Sequence, residues 1–501
     1  MSIPREQREA ALFLKELSRR DPIETHISAV FVGPDAAWKL KKAVRLPFLD
    51  FTSVEARQRF LRRELELNRW AAPAIYRDVA AVVRESDGTL SLTTDPGARP
   101  PRDWVLRMAR VPRDDFLDAL AARGGLTPAL LDALGDCVAN YHAALPPVSG
   151  WDSPGALLEI AKGNRASALA AGLARAEVQR WFEHAASALR ECKGWLAARA
   201  EAGFVRRGHG DLHLGNLCLW EGKPVPFDAL EFDERLATTD LGYDLAFLLM
   251  DLDHRVSRGA ASRVLNRYVA RTGDAALTRG LPLFLSLRAM IRAHALAAAG
   301  RGTEGAPYLR AALGYLQRKP ALVLAIGGLQ GTGKSTLARI LAPEIGNAPG
   351  ALVLRSDEIR KRLFHAAPEQ PLPEAAYADA ASEAVARELV QSAQQVAAGG
   401  HAAVADASFL DPALRAAIAG AARAARVPFV GVWLHAPPPL LEARLAARRN
   451  DASDATVAVL RRAAARDPGP VDWLRVEASD AGQAGAVIRG AIAAVVAAEP
   501  T

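Results

Sequence analysis

Cysteine is scarce in this chain: 501 residues hold three, Cys137, Cys192 and Cys218. Their number is odd and their spacing wide. That excludes a disulfide framework and a zinc pattern, and it favours a reducing cytoplasm. An export signal is not expected either. Met1 to Arg20 is charged and amphipathic, with no apolar core of a secretory leader. No uninterrupted apolar run approaches membrane-spanning length, so no membrane partner is expected. His26, His142, His184 and His254 stand alone, without metal-ligand spacing, and read as surface or capped-core residues. Trp181, Phe182 and Trp195 fall in a helical stretch and read as core. No basic stripe is interleaved with aromatics. The net charge of +7 is spread over the whole length, and Arg461-Arg462 reads as a solvated helix face, so nucleic acid is not an expected partner. Nothing in the sequence bears on oligomeric state.

The length suggests about two to four domains. Half of the residues are hydrophobic and 24% are charged, the balance of soluble globular protein, with alanine prominent enough to favour helices. Short strands fill the first part. A hairpin is expected from Ala29-Val30-Phe31-Val32, through Gly33-Pro34-Asp35, to Ala37-Trp38-Lys39-Leu40. Ser53 caps a helix running through Arg63, Glu64 and Leu67. Further strands are expected near 79–83, 90–92 and 104–108. From Asp114 to Gln317 the pattern is helical, broken near 208–233 by a small hairpin, Leu217 to Trp220 turning into Pro224 to Phe227.

Pro320 opens a different regime. Ala321 to Ile326 is a continuous apolar run ending in glycines, the mark of a strand buried on both faces of a parallel sheet. Strands at 351–354, 402–405 and 429–434 then alternate with helices over 375–398, 412–426 and 440–449. The expected architecture is an α+β two-lobed domain over 1–318 (lobes 20–108 and 109–318), then a doubly wound α/β domain over 319–501.

Each domain carries a phosphate-handling signature. Gly328 to Ser335 fits G-x-x-x-x-G-K-[ST] between a buried strand and a helix. Gly328, Gly331 and Gly333 let backbone N–H groups curl around phosphates, and the helix dipole favours the anion. Lys334 is expected to reach the β/γ-phosphates and Ser335 to bind Mg²⁺, with Thr332 and Thr336 among the ATP contacts. Asp357 and Arg360 follow the second strand, Asp406 ends the third, and Arg444, Arg448 and Arg449 lie on one helix. An Asp at that sheet edge can take a hydroxyl proton or hold Mg²⁺, and an Arg can neutralise the transferring phosphoryl group. This stretch, about 321–492, resembles the small P-loop kinases of the zeta-toxin, gluconate-kinase and polynucleotide-kinase type. The resemblance implies that Asp357 is the base, that Arg360 engages the acceptor, and that Arg448 or a neighbour closes over ATP.

The other signature is His209-Gly210-Asp211-Leu212, followed by Asn216. It has the spacing of the kinase catalytic loop H-R-D-L-x-x-x-N, with Gly210 in place of Arg. Asp211 would orient the acceptor hydroxyl and take its proton, Asn216 would bind Mg²⁺, and Asp228 beyond the hairpin would be the second metal ligand. This segment, 209–247, resembles aminoglycoside phosphotransferases. The later segment Asp240 to Ala246 fits that family's downstream acidic segment, whose acids, here Asp240 and Asp244, hold the catalytic loop. The resemblance implies a strand lysine on the α/β-phosphates paired with a helix glutamate. Lys39 and Glu64 are the choices, although Lys41 shares the face of Lys39 and Glu66 neighbours Glu64. No G-x-G-x-x-G precedes Lys39; Gly33 is the only glycine of its hairpin.

As a whole the chain resembles bacterial bifunctional proteins in which an aminoglycoside-phosphotransferase-like domain is fused to a P-loop kinase domain. That implies two Mg²⁺–ATP-dependent phosphotransferase domains acting on small hydroxylated molecules. Aminoglycosides are polycations, yet residues 113–205, which should supply much of the acceptor site, hold 11 Asp+Glu against 9 Lys+Arg, so a sugar, polyol or nucleoside-like metabolite fits as well. Two alternatives stand beside this: one domain is a regulatory ATP sensor, or the P-loop domain acts on a nucleotide-sugar or a polynucleotide end.

Overall fold

The computed structural model describes residues 3–46, 49–447 and 452–498. They form two compact units. The first takes in the chain up to Thr127, Asn140–Ala156 and Leu196–Asp244; the second takes in Pro128–Ala139, Leu157–Trp195 and the chain from Leu245 onward.

The first unit is built on an antiparallel sheet. Its six strands lie in the order Ile23–Glu24, Ser28–Val32, Ala36–Lys41, Asp103–Ala109, Tyr76–Arg84, Leu90–Thr93. The two-residue period of a strand decides what each face touches. Val79, Ala81 and Val83 pack on one side with Leu61 of the helix Val54–Arg69. Ala80 and Val82 pack on the other, with Leu14 of the helix Arg8–Ser18 and with Leu40. Ser53 caps the Val54–Arg69 helix by accepting from Ala56 N at 3.1 Å. Further along, Val205–Arg207 pairs antiparallel with Thr238–Asp240, and a short 3₁₀ turn, Leu214–Asn216, leads into the hairpin Leu217–Trp220 and Lys223–Pro226.

The second unit contains a five-stranded parallel sheet. The strands run Leu352–Arg355, Ala403–Asp406, Val323–Gly328, Phe429–His435, Leu474–Glu477 across it, so the first strand in sequence is central. Leu324 and Ile326 meet Leu337 and Leu341 of the helix Lys334–Leu341 and Ile488 of the helix Ala481–Ala497. The helices Asp379–Ala398 and Pro412–Ala425 pack against each other. The fold class is an α+β two-lobed kinase-like domain followed by an α/β doubly wound P-loop domain. Several expected boundaries move. The helix expected over 375–398 starts at Asp379, after a 3₁₀ turn at Glu374–Tyr377. The one expected over 440–449 is Pro438–Ala447, and its last two expected residues, Arg448 and Arg449, lie outside the described residues. The fifth strand, Leu474–Glu477, was not expected; it is an edge strand whose only buried residue is Val476, so it has no apolar run.

Among the described residues one helix, Leu281–Ala298, is long and apolar enough to cross a membrane. It is a core helix here: Leu283, Phe284, Leu287 and Met290 are buried, and Arg288 lies over the Phe247 ring.

His401 gives the second unit a pH dependence. It is 1% exposed, and its Nε2–H donates to Gly350 O at 2.9 Å. Burial lowers its pKa from 6.5 to about 4, outweighing the opposite pull of that hydrogen bond. A depressed histidine contributes stability that is fully present above its unfolded value and is lost as the pH falls toward the folded one. Between pH 7 and pH 5 His401 is expected to remove about 2 kcal/mol. Urea midpoints of wild type and His401→Gln at both pH values check this; the variant should show the shallower pH slope.

Candidate active sites

In the first unit, strand alternation puts Lys39 and Lys41 on the face turned toward Glu64. Lys39 Nζ donates to Glu64 Oε1 at 2.7 Å and to Asp228 Oδ1 at 2.5 Å. Glu64 has no exposed side-chain surface, whereas Asp228 is half-exposed. Burial works against charge on Lys39, but Asp228, Glu64 and Glu231 outweigh it and raise its pKa well above the ordinary value. Asp228 adopts a left-handed backbone, φ 61°, and its N–H donates to Tyr76 Oη at 2.9 Å. Burial, then the charges of Asp228 and Glu64, hold the Tyr76 phenol well above its usual pKa, so it stays a neutral acceptor.

The Asp211 loop is fixed from below. Asn216 Nδ2 donates to Asp211 O at 2.9 Å and to Asp211 Oδ2 at 2.8 Å, and His213 Nε2 lies 3.5 Å from the same carboxylate oxygen. Asp244, fully buried, accepts from His209 N at 2.8 Å and Gly210 N at 2.9 Å, with His142 Nε2 at 3.2 Å. This is why Gly208 is glycine: a Cβ there would lie 2.6 Å from Asp244 Oδ2. Gly210 has φ +80° and Leu230 Cβ 3.0 Å from where its own Cβ would stand, which accounts for glycine where protein kinases carry arginine. His209 Nε2–H donates to Phe227 O at 2.9 Å, and burial lowers its pKa, which keeps the ring neutral. Asp240 is paired with Arg199 at 2.6 Å.

In the second unit the phosphate loop has the positive φ values its glycines allow: Gly328 at 133°, Gly331 at 84°, Gly333 at 89°. At Gly328 a Cβ would meet Leu434 O at 2.4 Å. Lys334 Nζ donates to Gly328 O and Leu329 O at 3.0 and 2.9 Å, and Thr332 Oγ1 to Leu329 O at 2.7 Å. Thr336 lies on the helix that starts at Lys334. Ser335 Oγ donates to Asp406 Oδ2 at 2.6 Å, and buried Arg355 places Nε 3.3 Å from that same oxygen.

Asp357 is half-buried. Burial raises its carboxyl pKa, Arg355 opposes, and Asp406 adds to the rise, the setting of a carboxylate suited to accept a proton. Arg360 stacks over Tyr377, 4.9 Å to the ring centre, and donates to Ala376 O and Ser382 Oγ. Arg444 donates to Ala478 O and Ser479 O at 2.9 and 2.8 Å and approaches Gly331 O at 3.4 Å, so it lies against the phosphate loop. Arg448 and Arg449 lie outside the described residues.

Both donor sets fit Mg²⁺, a hard cation that takes oxygen ligands and keeps several waters. Asn216 and Asp228 offer an amide and a half-exposed carboxylate in one unit; Ser335 and Asp406 offer a hydroxyl and a carboxylate, already 2.6 Å apart, in the other.

A family model described as AAA domain matches residues 323–468, which include the phosphate loop, Asp357, Arg360 and Asp406. The Mycobacterium tuberculosis protein called Uncharacterized protein Rv2004c is 30% identical over 475 residues, covering 90% of this chain and 90% of that one. The chain belongs to the family of that protein. Among solved structures, a choline kinase from Cryptosporidium parvum is similar with a TM-score of 0.39 and 10% identity, covering 61% of this chain and 95% of its own. A gluconokinase from Sinorhizobium meliloti is similar with a TM-score of 0.24 and 18% identity, covering 35% and 98%.

Several residues at these sites carried no sequence signal. His142 and Tyr76 reach Asp244, behind the Asp211 loop, and Asp228 from far along the chain. Asp454 ties together Lys361 at 2.7 Å, Leu372 N at 3.1 Å and, at 2.5 Å, Tyr377, on whose ring Arg360 stacks. Lys41 was visible as sharing the face of Lys39, but nothing local indicated Glu231 as its partner.

Proposed function

We propose that the chain is a cytoplasmic ATP-dependent phosphotransferase with two kinase-type domains, 1–318 and 319–501, each acting on a small hydroxylated acceptor. The observation that carries this reading is Lys39 Nζ held between Glu64 and Asp228, a strand lysine brought to a helix carboxylate and to the loop carboxylate beyond the hairpin. Such an ammonium, fixed by Glu64, is placed to meet nucleotide phosphates.

In the first domain Asp211 accepts the proton of the acceptor hydroxyl. The acceptor oxygen forms the new bond to the γ-phosphorus, the β–γ bridging bond breaks, and its electrons leave with ADP. Asn216 orients Asp211 and, with Asp228, would hold Mg²⁺. In the second domain the Gly328–Ser335 loop and Lys334 bind the nucleotide, Ser335 and Asp406 would hold Mg²⁺, Asp357 takes the acceptor proton, and Arg360 orients the acceptor. Bound at either site, Mg²⁺ would supply charge neutralisation to the nucleotide phosphates. In a second reading the first domain binds ATP without transferring it; the single glycine, Gly33, in the hairpin before Lys39 favours it. A third, in which the P-loop domain phosphorylates a nucleotide-sugar or a polynucleotide end, differs in the acceptor alone.

Labelled ATP with a panel of sugars, polyols, nucleosides, nucleotide-sugars and oligonucleotide ends tests these readings on wild type, Asp211→Ala and Lys334→Ala. Acceptor-dependent transfer lost in one variant assigns that activity to its domain. Wild type that shows only acceptor-independent hydrolysis removes the proposal.

A further inference from the structure

The buried charges behind Asp228 are more numerous than a single lysine–glutamate clamp requires. Lys41 has no exposed side-chain surface. Its Nζ donates to Glu64 Oε2 at 2.8 Å and to Glu231, and lies 5.2 Å from the centre of the Phe51 ring. Glu64 therefore takes Lys39 on one oxygen and Lys41 on the other. Glu231 is 5% exposed and stands three residues beyond Asp228.

The segment from Asp228 to Glu231 is gripped at every residue. Asp228 N donates to Tyr76 Oη, Ala229 N to Asn68 Oδ1 at 2.8 Å, Leu230 N to His209 O at 2.9 Å, and the Glu231 carboxylate accepts from Lys41. Asn68 also donates to Glu64 O, on the same helix. Of the four grips, the last joins two full charges and ties the loop to the strand that carries Lys39.

We propose that Lys41 and Glu231 are a positioning pair for the first nucleotide site: they fix the distance between Lys39 and the metal-binding loop, so that Asp228 stays in place when Lys39 turns to phosphate. This rests on the reading of that site as a Mg²⁺–ATP site. Lys39 by itself cannot do both. Phosphate oxygens compete with Asp228 for its ammonium, and the three backbone grips at Asp228, Ala229 and Leu230 do not tie the loop to the strand that carries Lys39. Lys41 touches no nucleotide; it stays on Glu64 Oε2 and Glu231, and so keeps strand, helix and loop in register. In a buried, low-dielectric setting such a pair is strong and directional as long as both partners remain.

Lys41→Met would strand the buried Glu231 carboxylate and one oxygen of Glu64, which keeps Lys39 on the other, and is expected to damage the fold, so Glu231→Gln is the decisive variant. It keeps the shape and an acceptor for Lys41 and removes one charge. Both the parent and the variant are full chains carrying Lys334→Ala, so that bound nucleotide reports on the first unit. Equilibrium binding of labelled ATP is followed against Mg²⁺ concentration, with a thermal melt of each protein. We expect the Mg²⁺ concentration at half-maximal binding to rise roughly tenfold in Glu231→Gln. Affinity at saturating Mg²⁺ should stay within about twofold of the parent. A Mg²⁺ midpoint equal to the parent's, whatever the melting temperature, overturns the pair's role. A parent that binds no Mg²⁺–ATP overturns the reading of the site, and the pair's role with it.

Discussion

Asp211→Asn is expected to lower acceptor-dependent transfer by the first domain by about 10²–10⁴-fold, the usual worth of a positioned general base. The replacement is isosteric. Its side-chain oxygen can still accept from Asn216 Nδ2, which lies 2.8 Å from Asp211 Oδ2, so the loop keeps its shape. The lost element is the negative charge and proton affinity beside the acceptor hydroxyl. In the proposed site the nucleotide contacts come from Lys39 and the Asp228 loop, so Mg²⁺–ATP affinity should remain within about twofold. Single-turnover transfer and equilibrium binding, both in Lys334→Ala chains, separate the two effects. Loss of binding in step with loss of transfer would show that Asp211 serves nucleotide binding rather than proton transfer.

The second large effect is structural. Asp244→Ala removes the acceptor shared by His209 N and Gly210 N and leaves both donors buried, with His142 Nε2 also losing a partner. Each stranded buried donor costs about 1–3 kcal/mol, which puts the loss at about 3–5 kcal/mol. That corresponds to a fall of roughly 10 °C in the melting temperature of the first unit. A smaller residue cannot be repaired by collapse, because the missing groups are lone pairs and not volume. Calorimetry of wild type and Asp244→Ala checks this, and a shift below about 2 °C would remove Asp244 as the anchor of the loop.

Both phosphate signatures were legible because each is local. A glycine loop before a helix, or an Asp and an Asn five residues apart on one loop, encodes its geometry in a few consecutive residues. Lys39 was legible as far as strand alternation reaches: period two puts Lys39 and Lys41 on one face and cannot rank them, and in the structure Glu64 takes both. The partners that complete the sites were not legible. His142 meets Asp244 across 102 positions, and Lys41 meets Glu231 across 190, separations at which no spacing rule operates. The edge strand Leu474–Glu477 escaped notice for a different reason: with Val476 alone buried, it shows no hydrophobic signal.

The alternation along Ala36–Lys41 also constrains how this chain can vary in length. Leu40 enters the apolar layer beneath the helix Arg8–Ser18, while its neighbours on either side carry the ammonium groups that meet Glu64. Inserting or deleting one residue in that strand would exchange the faces, sending both lysines into the apolar layer and Leu40 among carboxylates. The turn around Asp87-Gly88 and the stretch between Thr93 and Asp103 bear no such restriction, since they lie between strands. Aligned members of the family should therefore differ in length there and hold Ala36–Lys41 to a fixed number of residues.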